Sequence, residues 1–317
     1  MSTVSLGQLW ILLRREVWES PISFKWAPLG LAALIVLIAV VSLTIGARMD
    51  ADMAFTLDAM RLFAEMDPDQ KRLIVSGLLF SSTVLFFQLL PFIIVFYLAG
   101  SLFDDRKDRS ILFWKSLPVS DSITVTSKLL TACLTIPALF FAAILLTHLA
   151  LLMITSAYAL MAGINPLAHL WLPASLPRLW SVMALGMLMQ GLWLLPIYGW
   201  LLFCSSWAPR VPLLFAIAIP AALSLAQHSY SLISGLRLPE YNIGMIILRR
   251  LGSGVLPGNA NIDFSDGLQN VEFNESLFMS FTTVFNHLLK PEMWLGWLIA
   301  AGFLYGAIWF RRRATDQ

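Results

Sequence analysis

Six apolar runs constrain this chain more than any other feature. They cover residues 28–46, 73–100, 129–160, 179–203, 211–233 and 292–310, and Glu292, at the edge of the last, is their one charged residue. A bilayer core of about 30 Å is crossed by about 20 helical residues at 1.5 Å per residue. Each run meets that length. The second and third exceed it, so those helices must tilt, kink or project beyond the lipid. Pro91, Pro137, Pro196 and Pro220 fall inside four of the runs and predict kinks there. The expected fold is all-α: a polytopic membrane protein with six transmembrane helices.

Composition agrees. The 317 residues are 58% hydrophobic and 13% charged, where a soluble domain carries about 25% charge. So little charge cannot coat a water-soluble surface, which excludes a soluble enzyme and a disordered regulator. A net charge of +2 with no separate basic patch argues against nucleic acid as a partner. Cys133 and Cys204 lie in or beside apolar runs and read as small buried thiols.

Lys and Arg set the orientation. With both termini cytoplasmic, the inner segments hold Arg14, Arg15, Lys25, Arg106, Lys107, Arg109, Lys115, Lys128, Arg210 and the cluster Arg311, Arg312 and Arg313. Their density is about twice that of the outer segments, which predicts N-in and C-in. The chain then divides into a cytoplasmic interfacial segment 1–26, a six-span domain 27–310 and a tail 311–317. Between the spans lie a cytoplasmic loop 101–128 and a long outer loop 234–291.

Leu6, Leu9, Trp10, Leu13 and Val17 recur at helical spacing, with Gln8, Arg15, Glu16 and Glu19 as polar positions. This predicts an amphipathic helix in the interface, ended near Pro21, with Trp18 and Trp26 at headgroup level. The acidic stretch 47–72 is helix-compatible. In the long outer loop, residues 243–251 and 277–289 are amphipathic and predict short helices around an irregular centre.

The loop after the second run is the most distinctive stretch. A mixed-charge cluster from Asp104 to Arg109 precedes Ile111, Leu112, Phe113 and Trp114, then a Leu117-Pro118-Val119-Ser120 break. Ser120 or Asp121 caps the next helix, which carries Lys128 into the third run. A charged and aromatic surface of this kind suits docking to a protein.

Catalytic patterns are missing. There is no Gly-x-x-x-x-Gly-Lys-Ser/Thr loop for phosphates, no GxSxG elbow and no HExxH. The sequence therefore assigns no catalytic, cofactor-binding or metal residue. The long polar side chains in the spans are Gln88, His148, Gln190, Gln227 and His228, expected to make interhelical hydrogen bonds or to line a substrate path.

Residues 105–120, followed by Lys128, and the segment 10–19 resemble the permease subunits of type-2 ABC transporters. In that family a charged stretch, a small-residue step, an apolar run, a Leu-Pro-Val-Ser-like turn and a Lys opening the next span recur in this order. Here Arg109 precedes Ser110 where the family often has Gly. The resemblance implies that ATP and Mg are bound by a separate ATPase subunit on the cytoplasmic face. Loop 101–128 would be the coupling loop. Asp104, Asp105, Arg106, Asp108 and Arg109 would supply ion pairs, Phe113, Trp114, Leu117 and Pro118 the apolar anchor and turn, and Arg210 a second contact. It also implies a second permease chain, identical or similar, and a multi-pass place in a bacterial inner membrane. The cargo would be amphipathic, lipidic or peptide-like, and exported. The alternatives are an ATP-independent membrane scaffold and, behind it, a secondary carrier or intramembrane enzyme.

Overall fold

A computed structural model describes residues 6–46, 53–108, 119–234, 242–253 and 281–314. The chain is an all-α polytopic membrane protein, and among the described residues six helices are long and apolar enough to span a bilayer. Helix α1 is Leu6–Glu19, α2 Ala27–Gly46, α3 Met53–Glu65, α4 Pro68–Lys107 and α5 Asp121–Met161. Then follow α6 Leu176–Trp207, α7 Pro212–Ser234, α8 Ile243–Ser253, α9 Phe281–Leu289 and α10 Pro291–Arg313. The 40 residues of α4 make a rod of about 60 Å, twice the thickness of a bilayer core.

Three of the prolines in the helices leave a common mark. Wide π turns occupy Ile22–Trp26, Thr131–Thr135 and Leu167–Trp171, and each ends two residues before a proline: Pro28, Pro137 and Pro173. A proline ring collides with the carbonyl four residues earlier and leaves it without a donor. The residue just before each proline donates five residues back instead, as Ala27 does to Ile22, Ile136 to Thr131 and Leu172 to Leu167. That widens the turn around the crowded carbonyl. Helices α4, α6 and α7 run on through Pro91, Pro196 and Pro220.

Helix α6 is the axis of the bundle. It packs most extensively against α10, then against α4 and α7. Glycines permit the closest approaches. A Cβ at Gly199 would sit 3.1 Å from the carbonyl oxygen of Ala300, and one at Gly191 3.3 Å from that of Cys133. Between the helices lie Phe86, Phe87, Leu90, Ile94, Phe140, Ile144 and Leu179, all buried. Helices α2 and α7 are the peripheral spans, with few buried side chains.

Indole N–H groups fasten this apolar packing. Trp200 donates to the carbonyl of Ala216 at 2.9 Å, Trp297 to Leu192 at 3.0 Å and Trp193 to Arg250 at 3.0 Å. Trp18 and Trp26 instead stay exposed, as headgroup-level residues do.

The amphipathic helix forms, but its inward face is displaced from the one the spacing predicts. Leu12 and Glu16 are buried, whereas Trp10 is 66% exposed. The displacement has a polar cause, because Glu16 has partners inside the bundle.

Candidate functional site

The candidate site lies at the end of the bundle that carries Arg311, Arg312 and Arg313. Ser120 caps α5 by accepting from the Ile123 N–H at 3.3 Å, which fixes where the helix starts and sets Lys128 facing inward. The Lys128 ammonium is 2% exposed and donates to Glu16 Oε1 at 3.2 Å. Tyr97 on α4 donates its hydroxyl to Glu16 Oε2 at 2.7 Å. Asp105, near the end of α4, pairs with Arg311 at 3.0 Å, Arg15 at 3.7 Å and Lys128 at 3.8 Å. Arg311 also reaches Asp121 at 3.2 Å. Glu16, Asp105 and Asp121 thus meet Arg15, Lys128 and Arg311 in a largely buried network that joins α1, α4, α5 and α10, with Arg15 also paired to exposed Glu19. Burying charge is costly, and a network in which each charge faces an opposite one is the arrangement that tolerates it.

The next residue faces elsewhere. Arg106 donates to the carbonyls of Ser205 and Ala208, both at 2.9 Å. These carbonyls end α6 and have no partner within the helix, so a guanidinium suits them. The Ser205 hydroxyl in turn accepts from the amides of Leu102 and Phe103, each at 3.0 Å. This stitching sets the α6–α7 turn, with exposed Arg210, beside the end of α4. Asp104, Lys107 and Asp108 are exposed on that end.

The expected coupling residues therefore divide. Asp105 and Arg106 hold the bundle together, and Asp104, Asp108 and Arg210 are presented outward. Arg109, Phe113, Trp114, Leu117 and Pro118 lie outside the described residues. The network members Glu16, Asp121 and Arg311 are not singled out as site residues by sequence: Glu16 reads as a polar position of the amphipathic helix, Asp121 as a helix cap and Arg311 as part of the cytoplasmic cluster.

The polar residues of the spans do not form one site. Gln88 is exposed on α4, and Gln190 is buried on α6 with no partner for its Oε1. His148 is buried between three helices. The Trp180 indole donates to its Nδ1 at 3.0 Å, so Nε2 carries the proton and donates to the Leu79 carbonyl at 3.0 Å. Gln227 meets the start of α8, whereas His228 is exposed. Gln227 Oε1 accepts from the Ile243 N–H at 2.9 Å, and Asn242 Oδ1 accepts from that of Gly244 at 2.9 Å. Among the described residues no three side chains of the His, Cys, Asp and Glu types converge as metal ligands.

No family model, no curated protein and no solved structure matches the chain.

Proposed function

We propose that this chain is the membrane-spanning permease subunit of an ATP-driven transporter of the type-2 ABC class. A separate ATPase subunit binds ATP and Mg and docks on the end that carries Asp104, Asp108 and Arg210. A second permease chain completes the path, and the cargo is an exported amphipathic, lipidic or peptide-like molecule. The membrane is a bacterial inner membrane, with both termini on its cytoplasmic side.

The observation that carries this reading is the sharing of roles between adjacent residues. Asp105 ties α4 to α1, α5 and α10, and Arg106 ties it to α6. The segment between these ties and Asp121 is the one whose residues resemble the coupling loop of that family. A push on loop 101–128 or on the α6–α7 turn reaches five helices through short polar contacts. That is what a subunit driven from outside requires, and it needs no charge inside the spans.

The test is reversal of the outward charges. The triple variant Asp104→Lys, Asp108→Lys and Arg210→Glu leaves the buried network intact. Purified from its native membrane, the wild-type chain is expected to bring with it a vanadate-sensitive ATPase, and the variant to lose it by tenfold or more. Undiminished ATPase in the variant, or transport that follows an ion gradient and ignores ATP depletion, overturns the reading.

A further inference from the structure

A cavity of about 1150 Å³ lies between α6, α7, α8 and α10, above the range of about 300–1,000 Å³ usual for small-molecule pockets. Trp200, Ala221, Ile247, Leu251 and Phe303 form its walls. It is open along one side, where Ile217, Leu225 and Leu248 of the lining stay exposed. In a membrane-spanning chain that side meets hydrocarbon, so what enters it sideways is an acyl chain.

Helix α8 roofs the cavity and is held at both ends. At its start, Asn242 donates to the Ser224 carbonyl of α7 at 3.1 Å. At its last turn, Arg250 donates to the Trp193 carbonyl at 2.8 Å and to the Glu292 carbonyl at 3.2 Å. The guanidinium also stacks 4.4 Å from the centre of the Trp193 ring, and the Lys290 ammonium lies 5.8 Å from the same ring. Gly296 leaves the room for that guanidinium, since a Cβ there would run into it. Arg249, exposed, is the neighbour of Arg250 on α8. Arg250, which lines the groove, and Lys290 thus flank the Trp193 ring at one end of it, with exposed Arg249 next along α8 and the Glu292 carboxylate acting on Arg250. Burial pushes Arg250 below the ordinary arginine range, and Glu292 opposes that shift.

Polarity is segregated along this groove. Its walls are mostly hydrocarbon and aromatic. Of the polar side chains other than that of Arg250, Ser224 and Asn242 are bonded to each other, and His228 is exposed on α7. A peptide would bring backbone amides that those walls cannot satisfy. A molecule with apolar tails and a negative head matches both parts.

We propose that the groove beneath α8 binds one membrane phospholipid with an anionic headgroup, its acyl chains against Trp200, Ile247 and Phe303 and its phosphate at the rim formed by Arg249, Arg250 and Lys290. The bound lipid fills the space that separates α8 from α6. This holds for the chain alone and does not depend on an ATPase partner.

Native mass spectrometry of the delipidated full chain, titrated with phosphatidylglycerol or with phosphatidylcholine of the same acyl chains, tests it. One phosphatidylglycerol per chain is expected, bound about tenfold more tightly than phosphatidylcholine. Ala221→Phe places a ring in the groove and is expected to abolish the bound lipid. The double variant Arg249→Gln and Lys290→Gln changes two exposed side chains and is expected to remove the preference between headgroups. Equal retention of both lipids by the wild-type chain, or a preference that survives either variant, overturns the proposal.

Discussion

Removing the Lys128 ammonium leaves Glu16 and Asp105 each short of a cation in a place water does not reach. Breaking a buried pair in this way costs about 3–5 kcal/mol. Lys128→Met is therefore expected to lower the midpoint of thermal unfolding in detergent strongly. Adding Glu16→Leu is expected to recover part of the loss, because the carboxylate left without a cation is then gone and Asp105 keeps Arg311, while the Tyr97 hydroxyl loses its acceptor. His148 gives a smaller effect of the same kind. Trp180→Phe deletes the indole N–H that fixes its tautomer, at about 0.6 kcal/mol, the average for interhelical bonds in membranes. The same assay reads both. Lys128 stood out in the sequence as the charge that opens an apolar run. Its partner did not, because Glu16 is 112 residues away and its spacing assigns it to the polar side of an amphipathic helix. Periodicity reports which face of a helix is apolar. It does not report that a carboxylate is drawn inward by a cation on another element.

At the scale of elements, close helix contacts carry the predictions. Gly199→Ala puts a methyl group against the backbone of α10, which cannot yield as a side chain would. Overpacking of this kind costs about 1–3 kcal/mol. Gly30→Ala is the control, since nothing lies within 4 Å of its Cβ position, and it is expected to leave unfolding unchanged or slightly improved. Each of the six apolar runs falls in a helix long and apolar enough to span a bilayer, although α5 begins eight residues before its run and α4 ends seven residues after its own. The helix-compatible stretch 47–72 contains the helix 53–65, and the short helices expected at 243–251 and 277–289 occur as 243–253 and 281–289. Run length and hydropathy sufficed for these because a bilayer demands a fixed length of apolar helix. The response to proline was not legible. The expected kink at Pro137 is a π turn at Thr131–Thr135, and the same device occurs before Pro28 and Pro173. Pro91, Pro196 and Pro220 lie in continuous helix. Pattern cannot distinguish the two groups, because the difference is in how neighbouring helices receive the freed carbonyl.

For the whole molecule, the distribution of Lys and Arg predicts that both termini share one side of the membrane. Reporters fused at either end are expected to be active only on the cytoplasmic side, and one inserted near residue 260 only on the opposite side. The exposure of Asp104, Asp108 and Arg210 could be anticipated from charge alone. The groove could not, since its walls come from several helices whose mutual packing no single run encodes. Taken together, the polar ties divide the protein unevenly. Where Asp105 and Arg106 bind four other helices, the bundle is cross-braced and resists shear. Along α7 the principal polar fastenings to the rest are the Trp200 bond and the contacts that hold α8. Compliance therefore accumulates at the lipid-filled seam, so a load applied at the braced end is felt as displacement at the far, softer side of the structure.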